Sequence, residues 1–196
     1  MGDLPRIVVL GWDPLVEEPG KLPLGEGGWR EDGPRLPVEL CRLTPRRFPA
    51  LSLCRGAVPQ QVYWAYMGTD SVGEAVWFLA QAAECKPENV GFLDLCSGEY
   101  WCRTVDEHLE TLRRWAEEKG RAGDAIEVII WNDLKPDFEK KARRELTPEN
   151  VVAYLRGLRP EFREAARLYL AKVPPRIDTP VLAAVRASWN DIFSRT

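Results

Sequence analysis

The chain has 196 residues with 45% apolar and 29% charged side chains and a formal net charge of −3. That balance excludes disordered, collagenous and coiled-coil classes, and it argues against a basic nucleic-acid footprint or a polybasic membrane anchor. The length predicts a single domain over residues 1–196, burying about 70% of the unfolded surface. No apolar run approaches the ~18 residues a membrane span needs. The opening Met1-Gly2-Asp3-Leu4-Pro5-Arg6 shows neither a signal peptide nor the myristoylation pattern, so a cytoplasmic protein is expected.

In chain order, Ile7–Leu10 reads as a short buried strand ending at Gly11. Residues Gly11 to Pro34 are rich in glycine and proline and read as one long loop, a length commonly functional in a compact domain. Leu36–Leu43 alternates, with Leu36, Val38, Leu40 and Arg42 on one face. Phe48–Cys54 and Gln61–Met67 follow as strands. Both faces of the last are apolar or aromatic, which predicts a central position. Ser71 with Glu74 forms a capping box that opens a helix running to about Glu84, stopped by Lys86-Pro87. Asn89–Leu95 is another strand. Thr104 with Glu107 predicts a second capped helix up to Gly120, and Ala125–Trp131 a strand rich in β-branched residues. Three helices close the chain, starting at Thr147-Pro148, near Pro160 and at Asp178-Thr179-Pro180. Strands and helices without regular βαβ alternation predict an α+β class.

Chemistry-bearing motifs are few. The cysteines, Cys41, Cys54, Cys85, Cys96 and Cys102, are odd in number and contain no C-x-x-C pair. They read as small buried hydrophobes in a reducing compartment. His108 is the sole histidine. Its spacing from Cys96 and Cys102 matches no zinc pattern, and Glu107 and Glu110 beside it suggest a solvated helical position. Phosphate-loop, dinucleotide and nucleophile-elbow motifs are absent. No metal site and no cofactor are expected, and a carboxylate is left as the proton carrier.

Two carboxylates stand out. Asp13 follows the first strand at the start of the glycine-rich loop, where backbone N–H groups face anionic ligands. Glu84 ends the helix after the most aromatic strand, against the negative pole of the helix dipole, a placement costing roughly 0.3–1 kcal/mol. Its small apolar neighbours Ala82, Ala83 and Cys85 suggest that it projects into a protein-lined space. Burial there would raise its pKa toward the range of a general base and acid.

The run Ile7–Gly11 followed by Trp12-Asp13-Pro14-Leu15 resembles the opening strand and substrate loop of the γ-glutamylcyclotransferase-like proteins, in a sparsely characterised microbial branch. Glu31-Asp32-Gly33-Pro34, Leu36-Pro37-Val38-Glu39 and Val62-Tyr63-Trp64-Ala65 look like its following strands. Ala83-Glu84-Cys85 is similar to the family's segment in which an acidic residue precedes Gly, and the Glu there is catalytic. Trp131-Asn132-Asp133-Leu134, Val152-Ala153-Tyr154-Leu155 and Ile177-Asp178-Thr179-Pro180 extend the likeness over most of the chain. The resemblance implies a small mixed β-barrel flanked by helices, with residues from about 147 to 196 packed on it and a pocket at one mouth. The chain departs from the family where Asp13-Pro14 stands for Gly-Ser and Cys85 for Gly. Pro14 lacks an N–H, and Asp13 adds charge beside the expected substrate carboxylate.

By that resemblance the α-amine of a γ-glutamyl group attacks its own γ-amide carbonyl, releasing 5-oxoproline and an amine, with Glu84 as general acid and base. Asp13 is the second catalytic candidate. Gly11, Trp12, Pro14, Leu15, Tyr63 and Trp64 are the substrate-binding candidates, with loop N–H groups near Gly11, Trp12 and Leu15 holding the oxyanion. The altered loop leaves two alternatives open: an isomerase, lyase or tailoring enzyme of an amino-acid-derived metabolite that uses Asp13 as well, and a non-catalytic binding module. The expected partner is a small molecule, with no nucleic acid and no membrane. A homodimer contact is the alternative use of any exposed tryptophan. Trp77, Trp115 and Tyr169 read as core or interface, and Trp12 and Trp29 as pocket residues.

Overall fold

Five consecutive buried residues, Ile7–Gly11, make β1, and a strand apolar at every position needs both of its faces covered. The computed structural model describes residues 6–104 and 106–193; the N-terminal stretch Met1–Pro5, read above for leader and acylation patterns, lies outside them. β1 pairs antiparallel with β5 (Tyr63–Tyr66) and parallel with β8 (Val128–Asn132). β8 pairs antiparallel with β6 (Val90–Asp94), which carries the two-residue β7 (Tyr100–Trp101). The sheet order is β5-β1-β8-β6-β7. A second sheet has β2 (Arg35–Leu43) between β3 (Pro49–Leu53) and β4 (Pro59–Gln61).

The two faces of the larger sheet bury different sets. Ile7, Val9, Ala65, Val128 and Ile130 pack with Ala75, Leu79 and Ala80 of α1 (Val72–Ala82). Val8, Leu10, Trp64, Ile129 and Trp131 face Leu112 and Trp115 of α2 (Leu109–Arg121) and Leu36, Val38 and Leu40 of β2. The same core takes in side chains of α3 (Phe138–Ala142), α4 (Pro148–Arg156), α5 (Pro160–Ala171), α6 (Pro180–Ala187) and α7 (Trp189–Phe193). Each fully buried Leu, Ile or Val there contributes about 1.5–3 kcal/mol of transfer free energy. Gly91 lies opposite Trp131 in the β6–β8 register, and a side-chain carbon at Gly91 would run into the indole.

The α+β class is as the sequence indicates. The closed barrel implied by the resemblance is not: among the described residues the strands form two open sheets. β7 is only two exposed residues, too short to bond onward. The outer edge of β5 is instead covered by the long loop, through bridges between Leu24 and Met67 and between Arg30 and Trp64. The gatherings β5-β1-β8 and β3-β2-β4 meet through side chains rather than through a ladder. No described helix is long and apolar enough to cross a membrane.

The expected cap forms at Ser71, and the helix starts read at Thr147 and Thr179 are capped as well. Ser71 accepts from the Glu74 N–H at 3.3 Å, Thr147 from Asn150 and Thr179 from Leu182, each at 3.2 Å. The Thr104 cap does not form. Its hydroxyl bonds to buried Asp133, and α2 starts five residues later, with His108 at its N-cap position. His108 is therefore buried rather than solvated. It stacks edge-on against Trp131 with ring centroids 5.3 Å apart.

Candidate functional site

Because β1 and β8 run parallel, their C-terminal ends lie side by side. Asp13, two residues beyond β1, there meets Asn132, the last residue of β8. One Asp13 oxygen accepts the Leu15 N–H at 3.0 Å, closing a turn through Pro14. The Asn132 oxygen accepts the Leu134 N–H at 3.2 Å, so its amide nitrogen is the end that can bond to the Asp13 carboxylate.

Two further groups come from outside the sheet. Arg42, near the end of β2, acts on Asp13 through its positive charge. Tyr169 of α5 feels the charge of Asp13, and its hydroxyl oxygen accepts the Leu51 N–H at 3.0 Å. Burial pushes the Asp13 carboxyl above its ordinary value of 3.8, although the bonds from Leu15 and Asn132 and the charge of Arg42 pull the other way. Burial, reinforced by the Asp13 charge, drives the Tyr169 phenol far up, so it stays protonated.

The sequence-derived candidates fare unequally. Pro14 and Leu15 flank the Asp13 turn, half-buried. The Leu15 N–H, expected to hold an oxyanion, is taken by Asp13 itself. Gly11 is roofed by the long loop: a Cβ there would stand 2.7 Å from the Trp29 ring and 2.8 Å from Val16, so only glycine permits the approach. Trp12 is core rather than pocket wall, 1% exposed. Tyr63 pairs with Gly11 and is buried. Trp64 is fully buried, with its indole N–H donating to Asp32 at 2.7 Å and its ring edge-on to Trp115 at 5.3 Å. Of the tryptophans assigned to core or interface, Trp115 is buried and Trp77 is exposed.

Glu84 is placed differently from the sheltered setting its neighbours suggest. It is exposed, with φ at +49°, and its carboxylate makes no hydrogen bond or ion pair among the described residues. The local cause is the way α1 ends. The Cys85 N–H donates to the Ala80 carbonyl at 2.9 Å and the Glu84 N–H to Gln81 at 3.2 Å. That is the Schellman pattern, which needs a left-handed residue just past the helix cap and usually takes glycine. Glu84 fills this position and leaves its side chain in solvent. Half-buried Cys85 is the neighbour that comes within reach of the Arg42 charge.

The sequence places Tyr169 in the core or an interface and does not mark Arg42 or Asn132 as site residues. Arg42 did carry a signal, as the lone cation on the Leu36-Val38-Leu40 face. Asn132 closed a strand. Tyr169, on a helix more than a hundred residues from β3, carried none. Three indole N–H groups, of Trp12, Trp29 and Trp131, and both nitrogens of His108 are buried without a hydrogen-bond partner among the described residues. No three metal-ligating side chains converge there. The chain matches no family model, no curated protein and no solved structure.

Proposed function

We propose that the protein acts on a small amino-acid-derived metabolite at the joint C-terminal edge of β1 and β8, with Asp13 as the proton carrier. The observation that carries this reading is the setting of Asp13: a desolvated carboxyl held by Leu15 and Asn132, with Arg42 as the opposite charge nearby. The repulsion Asp13 alone would impose on a γ-glutamyl carboxylate is offset by Arg42, which can pair with that carboxylate. Asp13 is then free to face the α-amine.

The reaction the resemblance suggests fits these groups. The α-amine attacks the γ-amide carbonyl, and the C–N bond to the leaving amine breaks. Asp13 takes the proton from the attacking nitrogen and returns it to the departing one, giving 5-oxoproline and a free amine. The developing oxyanion needs donors other than Leu15. The buried indole N–H of Trp29, whose ring roofs Gly11, is without an acceptor and is the candidate donor. Glu84, in solvent, has no part in this scheme.

A second reading, a non-catalytic binding module on the same groups, is favoured by the commitment of the Leu15 N–H to Asp13. Incubation with a panel of γ-glutamyl amides, followed by mass spectrometry for 5-oxoproline, separates the two. Turnover by the wild type that is lost in Asp13→Asn supports the enzyme. Equal turnover by Asp13→Asn removes Asp13 as carrier, and saturable binding without product supports the module.

A further inference from the structure

A second group of reactive side chains lies away from Asp13. Cys41 of β2 and Cys54, the residue after β3, both line a cavity of about 600 Å³ between these strands and the segments carrying Phe138 and Val181. The β2–β3 register shifts between Glu39 and Arg42, an irregularity that inserts an extra residue on β2. Leu40 goes to the main core, while the Cys41 thiol reaches across to β3, within 3.5 Å of the Ser52 carbonyl and 3.8 Å of the Leu53 carbonyl. There it lies beside the Cys54 thiol. Cys41 is buried and Cys54 is partly open to the cavity.

We infer that Cys41 and Cys54 form a dithiol–disulfide couple that exchanges with low-molecular-weight disulfides entering this cavity, Cys54 attacking and Cys41 resolving. In the first step the Cys54 thiolate attacks a disulfide RSSR, forming a protein mixed disulfide and releasing RS⁻. In the second, Cys41 loses its proton and attacks the Cys54 sulfur, releasing the second RS⁻. The sum converts two thiols and RSSR into one protein disulfide and two RSH, so electrons and protons balance.

The asymmetry of the pair sets the order. The neighbouring Cys41 thiol pulls the Cys54 thiol below its ordinary value, while Cys54, burial and the Glu39 charge push Cys41 far above its own. Cys54 is thus both the more ionised and the more accessible thiol. Glu39 does not compete for this role. Its carboxylate is occupied by the Leu40 and Val181 N–H groups and the Thr179 hydroxyl. Neither this couple nor its chemistry depends on the role given to Asp13.

The folded protein, treated with oxidised glutathione, alkylated and mapped by peptide mass spectrometry, tests the pairing. The expected product is a Cys41–Cys54 disulfide, lighter by two hydrogens. Cys41→Ser should stop at glutathione on Cys54, and Cys54→Ser should leave Cys41 unmodified. A mixed disulfide that persists on Cys54 in the wild type would overturn the assignment of Cys41. Modification of exposed Cys96 with Cys54 untouched would overturn the couple altogether. The wild-type map decides the matter even where a serine variant fails to fold.

Discussion

Asp13 and Glu84 occupy comparable places in the chain, each two residues past the end of a regular element and each beside apolar neighbours. Asp13 follows a strand whose parallel neighbour ends at the same level, so three other segments supply Asn132, Arg42 and Tyr169 around it. Glu84 follows a helix that must turn sharply, and the backbone it needs for the turn sends its side chain outward. What shelters a carboxylate is therefore the convergence of distant segments; small neighbours in sequence do not achieve it.

The largest effect expected from this contrast is on turnover. Asp13→Asn should lower 5-oxoproline release by about 10²–10⁴-fold, the usual worth of a positioned general base, while Glu84→Gln leaves it unchanged. The reverse pattern would break the comparison. Next comes the shell around Asp13. Tyr169→Phe strips the Leu51 N–H of its acceptor in a buried setting and should cost about 1–3 kcal/mol in denaturant unfolding. Glu84→Gly acts in the other direction: relieving a left-handed L-residue should stabilise the fold by about 0.5–1 kcal/mol after the added entropy of the unfolded glycine.

The smallest effect concerns pH. Folding raises the Asp13 pKa, so the folded chain holds that proton more tightly than the unfolded one. The stability this contributes is complete below the ordinary value of 3.8 and is lost as pH rises through the raised value. Asp13→Asn escapes that loss. It should be more stable than the wild type at neutral pH and converge with it in acid, the opposite of its effect on turnover.

Much of this architecture is legible in the sequence. Alternation finds β2, the Ser71 cap fixes the start of α1, and Pro148 and Pro180 mark two later helix starts, because these signals act over a few residues. The open sheets are not legible, since closure depends on edge strands, and β7 is too short for any periodicity to mark it. Asp13 is visible as a carboxylate at a strand end. Its partners are not, because Arg42, Asn132 and Tyr169 reach it only through the packing of β2, β8 and α5. Glu84 misleads for a definite reason: the Schellman turn usually announces itself by a glycine, and here the glutamate itself occupies that place. His108 misleads similarly, since its flanking glutamates suggest solvent while its ring packs on Trp131.

The most direct test is a ¹³C NMR titration of the side-chain carboxyls in the folded protein, with the Asp13 resonance assigned by its loss in Asp13→Asn. This resonance should titrate above the ordinary aspartate value of 3.8. A midpoint at or below that value would mean an openly solvated or fully ion-paired carboxylate, and would contradict the placement of proton chemistry at Asp13.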